Sequence, residues 1–123
     1  PFLQELGFQE IMPLMVGEIN LEKAEEIAKK ISKIPAFYIF STDLSHFLPY
    51  NEALKKDKNT INIIESLDFN KIKEIDACGI YPLLILFQLC KIKKIKPHLI
   101  IYKNSGDIVG GKESVVGYSS FYF

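Results

Sequence analysis

A chain of 123 residues with 48% apolar content is long enough to bury one core and too hydrophobic to be a disordered tail. Fifteen cationic side chains balance fifteen acidic ones, leaving no net field to draw nucleic acid or an anionic membrane surface. Every one of those cations is Lys, which argues against bidentate phosphate or carboxylate recognition, because only guanidinium offers the planar fork.

Residues 11–16 form a short apolar run closed by Gly17, the pattern of a buried strand. Asn20 is placed to cap a helix over residues 21–34, its side-chain oxygen accepting from an unpaired first-turn N–H. Leu21, Ala24, Ile27, Ala28 and Ile31 recur on one face of that helix, with Glu and Lys opposite, and Pro35 stops it. Residues 36–42 (AFYIFST) are β-branched and aromatic and predict a second strand. A polar loop over 43–49 leads into an amphipathic helix from Tyr50 to Leu67, whose pattern admits a break near Lys58. Asp68 can cap a short helical segment over 69–75. Asp76-Ala77-Cys78-Gly79 precedes an apolar helix over 80–94, with Lys91, Lys93 and Lys94 at the end where cations complement the helix dipole. Strands are predicted over 97–102 and 114–123, joined by a turn-rich loop over 104–111. This alternation predicts an α/β domain with a mainly parallel or mixed sheet covered by helices on both faces.

Two cysteines, Cys78 and Cys90, do not make a disulfide framework and read as free thiols of a reducing compartment. The apolar run over 80–90 is interrupted by Gln88 and too short to span a bilayer. With no signal peptide or lipidation motif, the expectation is a cytoplasmic protein that engages neither membrane nor nucleic acid. The Ile and Lys enrichment resembles thermophile usage, and an AT-rich genome produces the same bias. A start at Pro1 rather than Met predicts that residues 1–123 are part of a longer polypeptide.

Three clusters carry chemistry. Ser41-Thr42-Asp43-Leu44-Ser45-His46 follows a predicted strand, and ligands in open α/β sheets bind beyond the carboxyl ends of strands. His46 suits metal binding or proton transfer, and Asp43 can orient its ring. The alternative is a turn in which Asp43 caps the next segment and His46 is a surface residue. Cys78 lies just ahead of a helix, where the dipole favours thiolate, the form that attacks electrophiles and binds soft metals. The competing reading is a small buried residue at a helix start. Gly79 permits close backbone approach there. Cys90 reads as core filling and His98 as a structural histidine within a strand. The third cluster, Asn104-Ser105-Gly106-Asp107 with Gly110-Gly111, lacks the ending of a phosphate-binding loop and reads as a turn at a pocket rim.

In order along the chain, PFLQ (residues 1–4), STDLSHFLPYNEA (41–53), Asp57 with Thr60 and Ile61, ACG (77–79), Y.NSGD (102–107) and VVGY (115–118) resemble the Memo family. The resemblance covers essentially the whole chain, as the C-terminal portion of a single Memo-like domain. It implies a fold like that of class III extradiol dioxygenases, whose non-haem iron is held by two His and one Glu. It implies a metal-ligand role for Cys78, which replaces that carboxylate, and a pocket role beside the metal for His46 and Asp43. The family's two metal-binding histidines would lie upstream of Pro1, so the set is incomplete within these residues. The leading expectation is therefore a redox-related metal protein using iron or copper. Thiolate in place of carboxylate favours copper and weakens the case for ring cleavage. The alternatives are a module that grips a small molecule or peptide without turnover, and a thiol enzyme with Cys78 as nucleophile and His46 as base.

Overall fold

The computed structural model describes residues 2–123. A one-turn helix α1 (Phe2–Glu5) opens it, and residues 8–17 then run without helix or strand. Helix α2 (Leu21–Ile31) begins where the sequence signals it, with the Asn20 side chain accepting from the backbone N–H of Lys23 at 2.9 Å. It stops at Ser32, short of residue 34, because Pro35 clashes with helical backbone in the residue before it and unwinds the last turn. Ala24 and Ala28 on its apolar face are fully buried, and their small size lets α2 pack closely on α4.

Helix α3 (Tyr50–Ser66) runs without a break past Lys58. The reason is its inner stripe: Ala53, Asp57, Thr60, Ile61 and Ile64 recur at helical spacing and are all buried, so packing carries the helix through the polar stretch. Asp68 then caps a 3-10 turn (Phe69–Glu74), accepting from the N–H of Asn70 at 3.1 Å. Helix α4 (Ile80–Lys93) holds the middle of the molecule. Its eight residues from Leu83 to Cys90 are consecutively buried, so it is covered on every face, by α2 and by the apolar sides of α3 and the sheet.

The sheet departs from expectation. Strands β1 (His46–Leu48), β2 (His98–Asn104) and β3 (Val115–Tyr122) form a three-stranded sheet in the order β1-β3-β2, and both pairings are antiparallel. The chain is α/β, but the sheet is not parallel. Residues 11–16 and 36–42 were the segments expected to supply parallel strands, and neither has a ladder. No backbone hydrogen bond joins either segment to another part of the chain among the described residues. Apolar, β-branched composition marks a segment fit for a sheet, but a strand exists only when a neighbour satisfies its N–H and C=O groups. The strands that do pair include two linked by a short connection, the arrangement that makes antiparallel neighbours.

That connection is more ordered than a turn. Residues 105–109 form the short helix α5 (Ser105–Val109), closed by a capping box in which Asn104 accepts from the N–H of Asp107 at 3.2 Å and Asp107 accepts from the N–H of Asn104 at 2.9 Å. Gly110, at φ +84°, ends it in the left-handed conformation that glycine adopts without strain.

Candidate metal and thiol site

Segment 36–42, which has no ladder of its own, delivers Asp43 to the start of the sheet. From there two hydrogen bonds of 2.9 Å fix the chain to β3: the Leu44 N–H donates to the Gly117 carbonyl, and the Gly117 N–H donates to the Ser45 carbonyl. Beneath them lies Asp57 of α3, fully buried, whose carboxylate accepts from the Ser45 N–H at 2.9 Å and from the Tyr102 hydroxyl at 2.7 Å. Position 117 must be glycine for this to fit, because any Cβ there would run into the Asp57 carboxylate. One turn further along α3, the Thr60 hydroxyl accepts from the Asp76 N–H at 3.1 Å, fixing the segment that carries Cys78. A single helix thus anchors both loops of the site.

The two loops meet directly. The Asp43 N–H donates to the Cys78 sulfur at 3.3 Å, and the Cys78 N–H donates to the Asp43 carbonyl at 3.3 Å. The Thr42 hydroxyl sits 3.5 Å from the same sulfur and accepts from the Gly79 N–H at 2.7 Å. A Cβ on Gly79 would lie 2.6 Å from that of Thr42, so the close approach expected of this glycine is what brings the loops together. Gly79 is also the N-cap of α4, which leaves Cys78 one residue ahead of the cap and near the positive end of the helix.

His46 opens β1, and the ladder slips just after it. His46 pairs with Val116 and Leu48 with Val115, so Phe47 is an extra residue, held at φ +57° with its ring mostly outside. This bulge re-aims the strand. The His46 Nε2 lies 3.5 Å from Asp43 Oδ2. One donor atom each from Asp43, His46 and Cys78 lies within 4.8 Å of the other two. The three residues are half-buried, half-buried and exposed respectively, open to solvent on the thiol side. Thr42 also borders a cleft of about 270 Å³ between residues 38–44 and the end of β3.

A family model described as Memo-like protein matches residues 1–122. The chain belongs to the Memo-like family. The MEMO1 family protein of Sulfurisphaera tokodaii is 34% identical over all of this chain and 49% of its own length. Those of Sulfolobus acidocaldarius and Methanobrevibacter smithii are 33% and 35% identical, again over all of this chain, with 48% and 49% of their own lengths covered. The chain therefore spans about half the length of the curated relatives it matches, several of which come from archaea and thermophiles. No solved structure matches it.

Set against this Memo chain, Asp43, His46 and Cys78 are brought together as the motifs implied, and Cys90 lies apart from them. Cys90 is fully buried in α4, and burial pushes its thiol up to about 11. His98 stands in β2 as expected but is exposed, stacked on Tyr122 with 5.1 Å between ring centroids. The segment 102–107 does not rim the site. It supplies Tyr102 to Asp57 and, through Asp107, accepts a 2.6 Å bond from the Tyr50 hydroxyl. Sequence reasoning passed over three contributors: Thr42 as the bridge between loops, Asp57 and Thr60 as the anchors, and the Phe47 bulge. Asp57 and Thr60 leave a legible signal, polar residues on the apolar stripe of an amphipathic helix, which rarely stay there without partners. Among the described residues, no helix is long and apolar enough to cross a membrane.

Proposed function

We propose that this chain supplies the thiolate side of a redox metal centre, with Cys78 as metal ligand and the pair Asp43 and His46 beside it handling protons. The supporting observation is the clustering of the three donor atoms within 4.8 Å of one another. The donor set fits a first-row metal. Bonds of roughly 2.0–2.3 Å to such a cation need ligand atoms about 3–4 Å apart, and donor atoms within 4.8 Å of one another lie near that spacing. One thiolate with imidazole nearby suits copper, and iron is the second choice. Such an ion would supply one-electron chemistry at a position open to solvent. The chain's own part is to hold Cys78 by two N–H and hydroxyl contacts, to orient the His46 ring through Asp43, and to place that ring where it can give or take a proton. The remaining ligands would come from polypeptide beyond these residues, and the chain covers 49% of the length of the Sulfurisphaera tokodaii relative.

The test is metal titration of wild type and two variants, followed by inductively coupled plasma mass spectrometry. Cys78→Ser should lower copper or iron affinity tenfold or more. His46→Ala should keep the metal and slow any proton-coupled reaction by ~10²-fold. Equal loss of metal in both would make His46 a ligand rather than a proton carrier. A wild type that binds neither copper, iron nor zinc would overturn the metal reading. The same geometry would then be a thiol beside an imidazole, or the edge of a cleft that grips a small molecule or peptide without turnover.

A further inference from the structure

Zero net charge excludes a field from the chain as a whole but not from one end of it. Between Asp76 and Asp107 no acidic residue occurs, and four lysines in that interval, Lys91, Lys93, Lys94 and Lys96, fall close together. All four are exposed at or just beyond the C-terminal end of α4, the end away from Cys78. They are spread around that end rather than stacked on one face. Lys91 lies over the Phe69 ring, its ammonium 5.7 Å from the centroid, and Lys93 lies over the Tyr38 ring at 5.2 Å. The Tyr38 hydroxyl in turn donates to the Ile31 carbonyl at 2.7 Å, which brings the end of α2 and the exposed Lys33 alongside.

These ammonium groups have no acidic partner. Lys23, Lys29 and Lys30 on α2 each pair with Glu25 or Glu26. None of Lys33, Lys91, Lys93, Lys94 and Lys96 pairs with a carboxylate among the described residues. A helix dipole presents about half a charge at its C-terminus, which a single lysine offsets, so helix stability does not account for four. Lys94 carries a second sign. It is the C-cap of α4 at φ +56°, a left-handed position that glycine enters freely and lysine only with strain. Beside the lysines stand two partly exposed aliphatic side chains, Ile92 at 38% and Ile34 at 40%.

We propose that the lysine-rich end of α4 is a docking surface for an anionic lipid bilayer. Ammonium groups are point charges without the guanidinium fork, suited to the diffuse field of a negative surface. The two rings that could stack on nucleic-acid bases already lie under Lys91 and Lys93, which argues against a single strand as partner. Long lysine stems flanking an exposed isoleucine reach headgroups while the aliphatic side chain meets the acyl boundary. Helix α4 has 14 residues, so about 20 Å separates its ends. A chain docked by these lysines would hold Asp43, His46 and Cys78 clear of the bilayer. The inference goes beyond the metal reading and stands without it.

The experiment is co-sedimentation of the chain with vesicles of phosphatidylcholine alone and of equimolar phosphatidylcholine and phosphatidylglycerol. Binding is expected to the mixed vesicles only, and should vanish in about 1 M salt, where the screening length falls to roughly 3 Å. Each of Lys91→Gln, Lys93→Gln and Lys96→Gln should lower partitioning roughly fivefold, and Lys91→Gln with Lys96→Gln roughly 25-fold, with circular dichroism unchanged. Replacing the same two lysines by Arg should restore binding. Lys55→Gln with Lys58→Gln removes equal charge from the exposed side of α3 and should bind like the wild type. Equal partitioning into neutral vesicles, or equal loss in the α3 control, would overturn the proposal. So would no binding at all, or tighter binding of the wild type to an oligothymidylate than to the mixed vesicles. Metal content enters none of these readouts, so failure here is distinct from failure of the metal reading.

Discussion

Two sulfurs twelve positions apart face opposite conditions. Cys78 is exposed at the end of a helix dipole with an N–H aimed at its sulfur, and Cys90 is enclosed by α4's neighbours with its thiol raised to about 11 by burial. Brief alkylation of the native protein should therefore label Cys78 and leave Cys90 free, as read by peptide mass spectrometry; preferential label on Cys90 would reverse their roles. Gly117 poses a sharper constraint. Gly117→Ala forces the buried Asp57 side chain off its two partners, and stranding a buried polar group while straining the packing around it is among the few changes that reach about 3 kcal/mol. Chemical denaturation should show that loss, and a variant within 0.5 kcal/mol of wild type would mean that Asp57 finds other partners.

At the level of elements, the helices were the legible part. Asn20, Asp68 and the apolar stripe of α2 announce themselves because caps and helical spacing are local properties of the sequence. The strands were legible only as composition, since residues 36–42 carry a better strand pattern than 46–48, yet the latter are paired and the former are not. Pairing is decided by what lies alongside, which no window of sequence contains. The candidate site was legible as a list of residues through its motifs, whereas the contacts that hold it, from Thr42, Asp57 and Thr60, depend on the tertiary approach of residues 12, 16 and 37 positions apart. One such contact predicts a pH effect. Burial first, and donation to Asp57 second, raise the Tyr102 phenol above its usual value. A group raised on folding contributes stability that is complete below its unfolded value, about 10. That contribution drains away as pH climbs through the folded value. Circular dichroism across the alkaline range should find the wild type losing stability more steeply above about pH 10 than Tyr102→Phe, which starts lower and changes less. Parallel curves would remove Tyr102 from the linkage.

Over the whole molecule, α4 is the common floor: α2 covers one side, α3 and the sheet another, and the candidate site sits at its N-terminal end. The hold of α3 on both loops has a further consequence, for which lengths of chain can vary. Asp57 and Thr60 are three residues apart, and the two segments they grip must meet at Cys78 within hydrogen-bond reach. That interval acts as a gauge block. One residue added between them would swing Thr60 around the helix by about 100° and shift it 1.5 Å along the axis, leaving the Asp76 N–H with nothing to bond. An insertion between Gly110 and Gly111 meets open space at both glycines and lies outside the bond from the Tyr50 N–H to the Lys112 carbonyl. The expected outcome is that the first insertion abolishes the selective alkylation of Cys78 while the second leaves it intact, so that the spacing inside a helix that supplies none of the three clustered donors would set the tolerance of the candidate site to change.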